Sequence, residues 1–193
     1  MITVVSGLPR SGTSLMMQML VAGGMPALTD GLRAADENNP KGYFEWEPAK
    51  ALKQHPSAIR AGEGKVVKII SALLPQLPDG YDYRVVFMRR PLEEVIASQN
   101  KMLARLGRPV PNTPTSTVIA AFEKHLKEIE SWWSRKPNLK VLSVQHSEVL
   151  KCPEVEATRI AEFVGSGLNV ASMAQQVEQS LYREKVGASV PTS

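Results

Sequence analysis

Eight residues near the start of the chain have the outline of an anion-binding loop. They read GLPRSGTS, from Gly7 to Ser14, and combine two glycines, one arginine and three hydroxyl side chains. Glycines let the backbone turn tightly, and the helix expected to begin near Thr13 directs the positive end of its dipole at the same place. The segment therefore predicts a site for a ligand with several anionic oxygens.

One position in this loop separates two chemistries. A loop of this spacing that binds ATP or GTP carries Lys before its last Ser or Thr, where the ammonium reaches the β- and γ-phosphates. Here Thr13 occupies that position, and the cation of the loop is Arg10. A small P-loop kinase or NTPase is a competing hypothesis, weakened further because the segment VVFMRR lacks the Asp that usually ends a Walker B strand.

The loop also resembles a family motif. Residues Pro9 to Leu15 read PRSGTSL, which is similar to the 5′-phosphosulfate loop of sulfotransferases, most of all to the PRSGT form of tyrosylprotein sulfotransferases and bacterial relatives. The resemblance implies 3′-phosphoadenosine 5′-phosphosulfate (PAPS) as co-substrate, no obligatory metal, and Arg10 as the group that stabilises the transferring sulfuryl. The cofactor-binding residues that it implies here are Pro9, Arg10, Ser11, Gly12, Thr13 and Ser14.

A second stretch carries the resemblance further. Residues Phe87 to Gln99 read FMRRPLEEVIASQ, and sulfotransferases place an Arg at a strand end and a Ser eight residues later to hold the 3′-phosphate. The matching pair is Arg90 and Ser98, which two helical turns bring onto one side of the expected helix. A guanidinium grips phosphate bidentately and a hydroxyl donates a further bond. Arg89 falls outside this spacing and is expected to form a salt bridge.

Weaker similarity covers much of the remaining chain. Residues 141–165 resemble the late strand and helix of the family, although His146-Ser147-Glu148-Val149 departs from the usual Tyr-Glu-Asp-Leu. The run at 182–185, YREK, is a candidate remnant of a basic 3′-phosphate motif. His55, His125 and His146 are scattered in sequence, and we expect surface or core positions for them rather than metal ligation.

The base that activates the acceptor is harder to identify. Sulfotransferases of small molecules use a His two residues beyond a Lys after the second strand, but Lys68 is followed at that distance by Ile70. Tyrosylprotein sulfotransferases use a Glu after the first helix, where this chain has Glu37, Glu45 and Glu47. We select Glu45 as the predicted base because it lies in the aromatic GYFEWEP turn, and Lys68 as an aid to the leaving group.

Buried strands alternating with helices predict an α/β fold with a central parallel sheet, and the resemblance implies that it is a P-loop NTPase-like, three-layer fold. We expect strands at 2–6, 65–70, 83–88 and 140–144. Helices are expected at 13–22, 48–54, 91–106, 116–134 (capped by Ser116), 153–164 and 170–181. The site should lie at the carboxyl ends of the strands, with 29–43 and 107–115 as long loops or lids.

The whole composition limits the remaining choices. The chain has 193 residues and a net charge of +4, which predicts one domain over 1–193, with 187–193 as a flexible tail, and suits anionic ligands. The sequence has no basic stripe that would favour nucleic-acid binding and no apolar run long enough for a membrane span. The single Cys152 and the absence of a leader-like start predict a cytoplasmic protein. The acceptor could be small molecule, sugar, lipid or peptide, and an inactive nucleotide-binding module of the same fold remains an alternative.

Overall fold

The computed structural model describes residues 1–30, 44–165 and 167–177. Its centre is a five-stranded sheet in the order β2-β3-β1-β4-β5, and every neighbouring pair is parallel. The strands are β1 (Ile2–Gly7), β2 (Ala27–Leu28), β3 (Val66–Lys68), β4 (Tyr83–Arg89) and β5 (Leu139–Gln145). β1 lies in the middle of the sheet, and the chain builds first one side of it and then the other.

Within the described residues, six α-helices and three 3₁₀ helices lie between or after these strands. The α-helices are α1 (Thr13–Ala22), α2 (Leu92–Arg105), α3 (Thr115–Trp133), α4 (His146–Lys151), α5 (Pro153–Val164) and α6 (Val170–Ala174). The 3₁₀ helices are Glu47–Ala51, Pro56–Gly62 and Ser71–Gln76. Among the described residues, no helix is both long enough and apolar enough to cross a membrane.

The central strand β1 is buried on both faces, as its uncharged sequence predicts. Val5 and Val86 pack on the face covered by α1, α5 and α6, while Val4 and Val85 pack on the face covered by α3 and the 3₁₀ helices. Alternate residues of a strand point to opposite faces, so each strand contributes to both cores. The predicted three-layer α/β architecture is confirmed.

Several predicted elements need correction. The helix expected at 48–54 is the 3₁₀ helix Glu47–Ala51, and the strand expected at 65–70 is paired only over Val66–Lys68. Ser116 does not cap α3, because the helix begins one residue earlier, after Pro114. β2 and α4 were not predicted, and α6 ends at Ala174, short of the predicted 181.

Candidate active site

The glycine loop lies at the carboxyl end of β1, between the sheet and α1. Gly7 and Gly12 have φ of 148° and 102°, and Arg10 also has a positive φ, 71°. A Cβ at Gly7 would lie 2.7 Å from the Met88 carbonyl oxygen of β4, and a Cβ at Gly12 would overlap the His146 ring. The two glycines are therefore required both by backbone conformation and by the closeness of neighbouring elements.

The N-terminus of α1 opens into this loop without a side-chain cap. Gly12 is the N-cap residue, and no hydrogen bond from a described side chain caps the helix. The first N–H groups of any helix lack intrahelical acceptors, and the helix dipole adds partial positive charge there. Ser11 N–H donates to the Leu8 carbonyl at 3.1 Å, so this N–H forms a hydrogen bond within the loop.

Arg10 is held by one residue of α2 and one residue of the segment that precedes α2. Arg10 Nε donates to Ser98 Oγ at 3.1 Å, and Arg90 Nη1 donates to the Arg10 carbonyl oxygen at 3.2 Å. The structure thus brings together the three residues that the two motifs singled out, although 88 positions separate Arg10 from Ser98. The bond from Arg90 also holds the carbonyl of a residue in the left-handed conformation, which non-glycine residues adopt at a cost.

Arg90 has a second partner that the sequence analysis missed. Its Nε donates to Glu94 Oε2 at 3.0 Å, and the two side chains are only 8% and 6% exposed. Buried charges need partners of opposite charge, because the interior replaces the hydration they lose only in part. The i, i+4 spacing of Arg90 and Glu94 was a signal that could have predicted this pair.

His146 is the other residue that the sequence analysis undervalued. It follows β5 directly, is 7% exposed, and its ring packs against Gly12 of the loop. Burial and, to a smaller extent, the charge of Arg90 lower its pKa to about 4 against the opposing effect of Glu94, so the ring is neutral at pH 7. The signal available was position: residues that follow parallel strands meet at one edge of the sheet.

Arg89 contacts residues of α3 and β4. It forms a salt bridge with Glu130 of α3, and its guanidinium lies 4.7 Å from the centre of the Phe87 ring. The expectation of a salt bridge at Arg89 is confirmed.

The predicted base region is described only in part. The backbone of Glu45 is held beside the end of β2, because its carbonyl accepts hydrogen bonds from Thr29 Oγ1 and Asp30 N–H. Lys68 is the last residue of β3. Glu37, most of the 29–43 loop, the run at 182–185 and the 187–193 tail lie outside the described residues.

The loop fits a phosphate-bearing cofactor. Ser11 Oγ is buried and has no hydrogen-bond partner among the described residues, and it lies in the loop beside the uncapped helix start. A buried hydroxyl without a partner is uncommon and calls for an acceptor such as an anionic oxygen. Within the described part of the chain, no group of three or more His, Cys, Asp or Glu side chains is placed to hold a metal ion.

Comparison with known protein families identifies one family for this chain. The sequence matches the family described as Sulfotransferase domain over residues 2–187. No curated protein matches the chain. A sulfotransferase domain from the curacin biosynthetic pathway has a similar structure at 16% identity, with a TM-score of 0.53, covering 92% of this chain and 77% of that one.

Two further solved structures have the same fold. Mouse sulfotransferase SULT7A1 complexed with PAP is 16% identical, with a TM-score of 0.55, and the match covers 97% of this chain and 66% of that one. Sulfotransferase STF1 from Mycobacterium tuberculosis H37Rv is 15% identical, with a TM-score of 0.54, covering 95% and 71%.

Proposed function

Because this chain belongs to the sulfotransferase domain family, we propose that it transfers a sulfuryl group from PAPS to a hydroxyl or amine acceptor. The observation that carries the proposal is the placement of Arg10. The only arginine of the loop stands beside an uncapped helix N-terminus and is fixed there by Ser98 and Arg90. The kinase alternative is not favoured, since the position of the phosphate-binding Lys holds Thr13.

The loop is the proposed site of the 5′-phosphosulfate. The N–H groups of Gly12 and Thr13, and the hydroxyls of Ser11, Thr13 and Ser14, would donate to its oxygens, with Pro9 shaping the turn. Ser11 contributes through its hydroxyl, because its N–H already donates to Leu8. When bound, PAPS supplies an activated sulfuryl group whose departure leaves negative charge on a phosphate oxygen.

Arg10 is the proposed electrostatic catalyst. Negative charge gathers on the transferring group and on the leaving oxygen, and a fixed cation at that place lowers the barrier. Ser98 and the carbonyl contact from Arg90 restrict the Arg10 side chain and backbone, so that little reorganisation is needed. Lys68, at the end of the neighbouring strand, is a proposed second cation for the leaving group.

Arg90 and Ser98 are the proposed contacts for the 3′-phosphate. Their support is that both lie against Arg10, so one continuous anion site joins the loop with the start of α2. Glu94 neutralises Arg90 in the described state. The site therefore holds a cation for a second phosphate without leaving that cation uncompensated in the interior.

The proposed acceptor is a small molecule, sugar, lipid or peptide that carries the hydroxyl or amine. Glu45 remains the base predicted from the sequence, and its location beside the end of β2 is compatible with a site at the carboxyl edge. We propose that the reaction needs no metal and no nucleic acid. A cytoplasmic location is proposed as well, and the single cysteine supports it.

The test is an assay of PAP release from PAPS with a panel of phenols, aliphatic alcohols, sugars and amines. Arg10→Ala should lower kcat by roughly 100- to 1,000-fold, the range for losing one oxyanion donor. Arg60→Ala is the matched control, because Arg60 is exposed on the 3₁₀ helix Pro56–Gly62. Wild-type turnover in Arg10→Ala, or no acceptor-dependent PAP release by the wild-type protein, would contradict the proposal.

A further inference from the structure

A histidine and a serine that are distant in sequence are joined by a hydrogen bond. Ser71 Oγ and His125 Nε2 are 2.9 Å apart. Ser71 is 1% exposed and begins the 3₁₀ helix that follows β3, whereas His125 is half-buried on α3. Ser71 thus fixes one nitrogen of an imidazole that keeps contact with solvent.

The serine is placed beside the loop by strand pairing. Ile69 N–H donates to the Val5 carbonyl at 3.0 Å, so β1 and the end of β3 remain paired at that level. The loop begins at Gly7, two residues after Val5, and Ser71 likewise comes two residues after Ile69. Neighbouring strands lie about 4.8 Å apart, so the Ser71 backbone comes within a few such spacings of the loop.

The histidine is placed on the same side by the course of α3. Glu130 of α3 pairs with Arg89, the last residue of β4, so this turn of the helix is level with the carboxyl edge of the sheet. α3 precedes β5, which runs parallel to the other strands, and the helix therefore runs from the carboxyl edge towards the amino edge. His125 precedes Glu130 by five residues, about 7.5 Å of helix rise, and so lies beyond the edge on the side of the site.

We propose that His125, in place of Glu45, is the general base that activates the acceptor, a proposal that rests on the sulfuryl transfer proposed above. In the required tautomer, Nε2 carries the hydrogen and donates to Ser71 Oγ, leaving the lone pair on Nδ1. Nδ1 takes the proton of the acceptor hydroxyl while the acceptor oxygen forms its bond to sulfur. The bond from sulfur to the 5′-phosphate oxygen breaks, and that oxygen keeps the electron pair.

Neither of the other two histidines suits this role as well. His146 is buried against Gly12, and its low proton affinity would make it a weak base. His55 is exposed on the segment before Pro56–Gly62. His125 is the one whose ring is oriented by a buried hydroxyl at the carboxyl edge, and orientation by a third group is typical of catalytic bases.

The test compares His125→Gln with wild-type protein, with the best acceptor from the panel and saturating PAPS. Gln can still donate to Ser71 but cannot take a proton. We expect kcat to fall by about 100-fold or more, the usual effect of losing a general base, with the Kd for PAP within twofold of wild type. His55→Gln is the matched control and should leave both quantities unchanged. Free imidazole should restore part of the rate of His125→Ala and none of the rate of Arg10→Ala.

The possible failures are distinguishable. Wild-type protein that neither binds PAP nor releases it from PAPS overturns the proposed function itself. If the wild type is active and His125→Gln retains kcat within threefold, the role assigned to His125 is wrong. A large loss of kcat in Glu45→Gln, with His125→Gln unaffected, would give the role to Glu45. A loss in His125→Gln accompanied by loss of PAP binding would indicate a structural effect and overturn the proposal.

Discussion

Replacing Glu94 by Gln should destabilise the fold, because it removes the charge of the carboxylate that pairs with the buried Arg90. The pair is 8% and 6% exposed and its atoms are 3.0 Å apart, so the substitution removes the carboxylate charge with which the buried guanidinium pairs. Removing one partner of such a pair costs about 3–5 kcal/mol. We expect the lower end, about 3 kcal/mol, because Arg90 keeps its bond to the Arg10 carbonyl. For a chain of this size that loss lowers Tm by roughly 6–12 °C.

The assay is thermal unfolding of Glu94→Gln beside Glu93→Gln, with and without PAP or AMP. Glu93 is the preceding residue of α2 and is exposed, so its replacement should leave Tm within about 1 °C. PAP should raise the Tm of Glu94→Gln more than that of wild type, because its 3′-phosphate supplies the missing counter-charge, whereas AMP should not. Equal Tm values for the two variants would refute the reasoning about the buried pair, and equal PAP-induced shifts would refute the role of Arg90 in phosphate binding.

Two further predictions concern His146 and the loop. Gly12→Ala should weaken PAP binding at least tenfold, because the added Cβ overlaps the His146 ring. The control is Gly64→Ala, since Gly64 also has a positive φ but its Cβ would meet no neighbouring atom. Equal PAP affinities of the two variants in calorimetry would contradict the predicted overlap with His146. The pKa of His146 is lowered from 6.5 to about 4, so the unfolded chain binds a proton that the folded chain does not between those values. The free energy of unfolding should therefore have its full value above pH 6.5 and fall by about 3 kcal/mol as the pH drops to 4. His146→Gln should remove this slope and His55→Gln should not; denaturant titrations at several pH values would reject the reasoning if both variants kept it.

Local sequence signals were sufficient for most of the sheet and for the loop. The strand–glycine loop–helix order around Gly7–Ser14 and the strand ending at Arg89 have patterns that depend on neighbouring residues only, and both were placed within one or two residues. β2 was missed because two residues are too few for an alternating pattern, and α4 because its six residues follow β5 without a turn signal.

The contacts that fix the site were less accessible from the sequence. Arg10 with Ser98, His146 with Gly12 and Ser71 with His125 join positions 54 to 134 residues apart. Such pairs can be predicted only when the strand order is known, because the strand order decides which strand ends lie side by side. His125 in particular lies on a helix whose pattern predicts only an apolar stripe, and its meeting with Ser71 depends on how α3 crosses the sheet edge.

The most direct test of sulfotransferase function is calorimetric titration of wild type and Arg90→Ala with PAP, AMP and Mg-ATP at fixed salt. A charge-assisted phosphate contact contributes about 1.5–3 kcal/mol, which corresponds to roughly 10- to 150-fold in affinity. Wild type should bind PAP tighter than AMP by that factor, and Arg90→Ala should lose most of the difference while its affinity for AMP stays nearly unchanged. Equal affinity of wild type for PAP and AMP, or tighter binding of Mg-ATP than of either, would contradict the proposal and favour the kinase alternative.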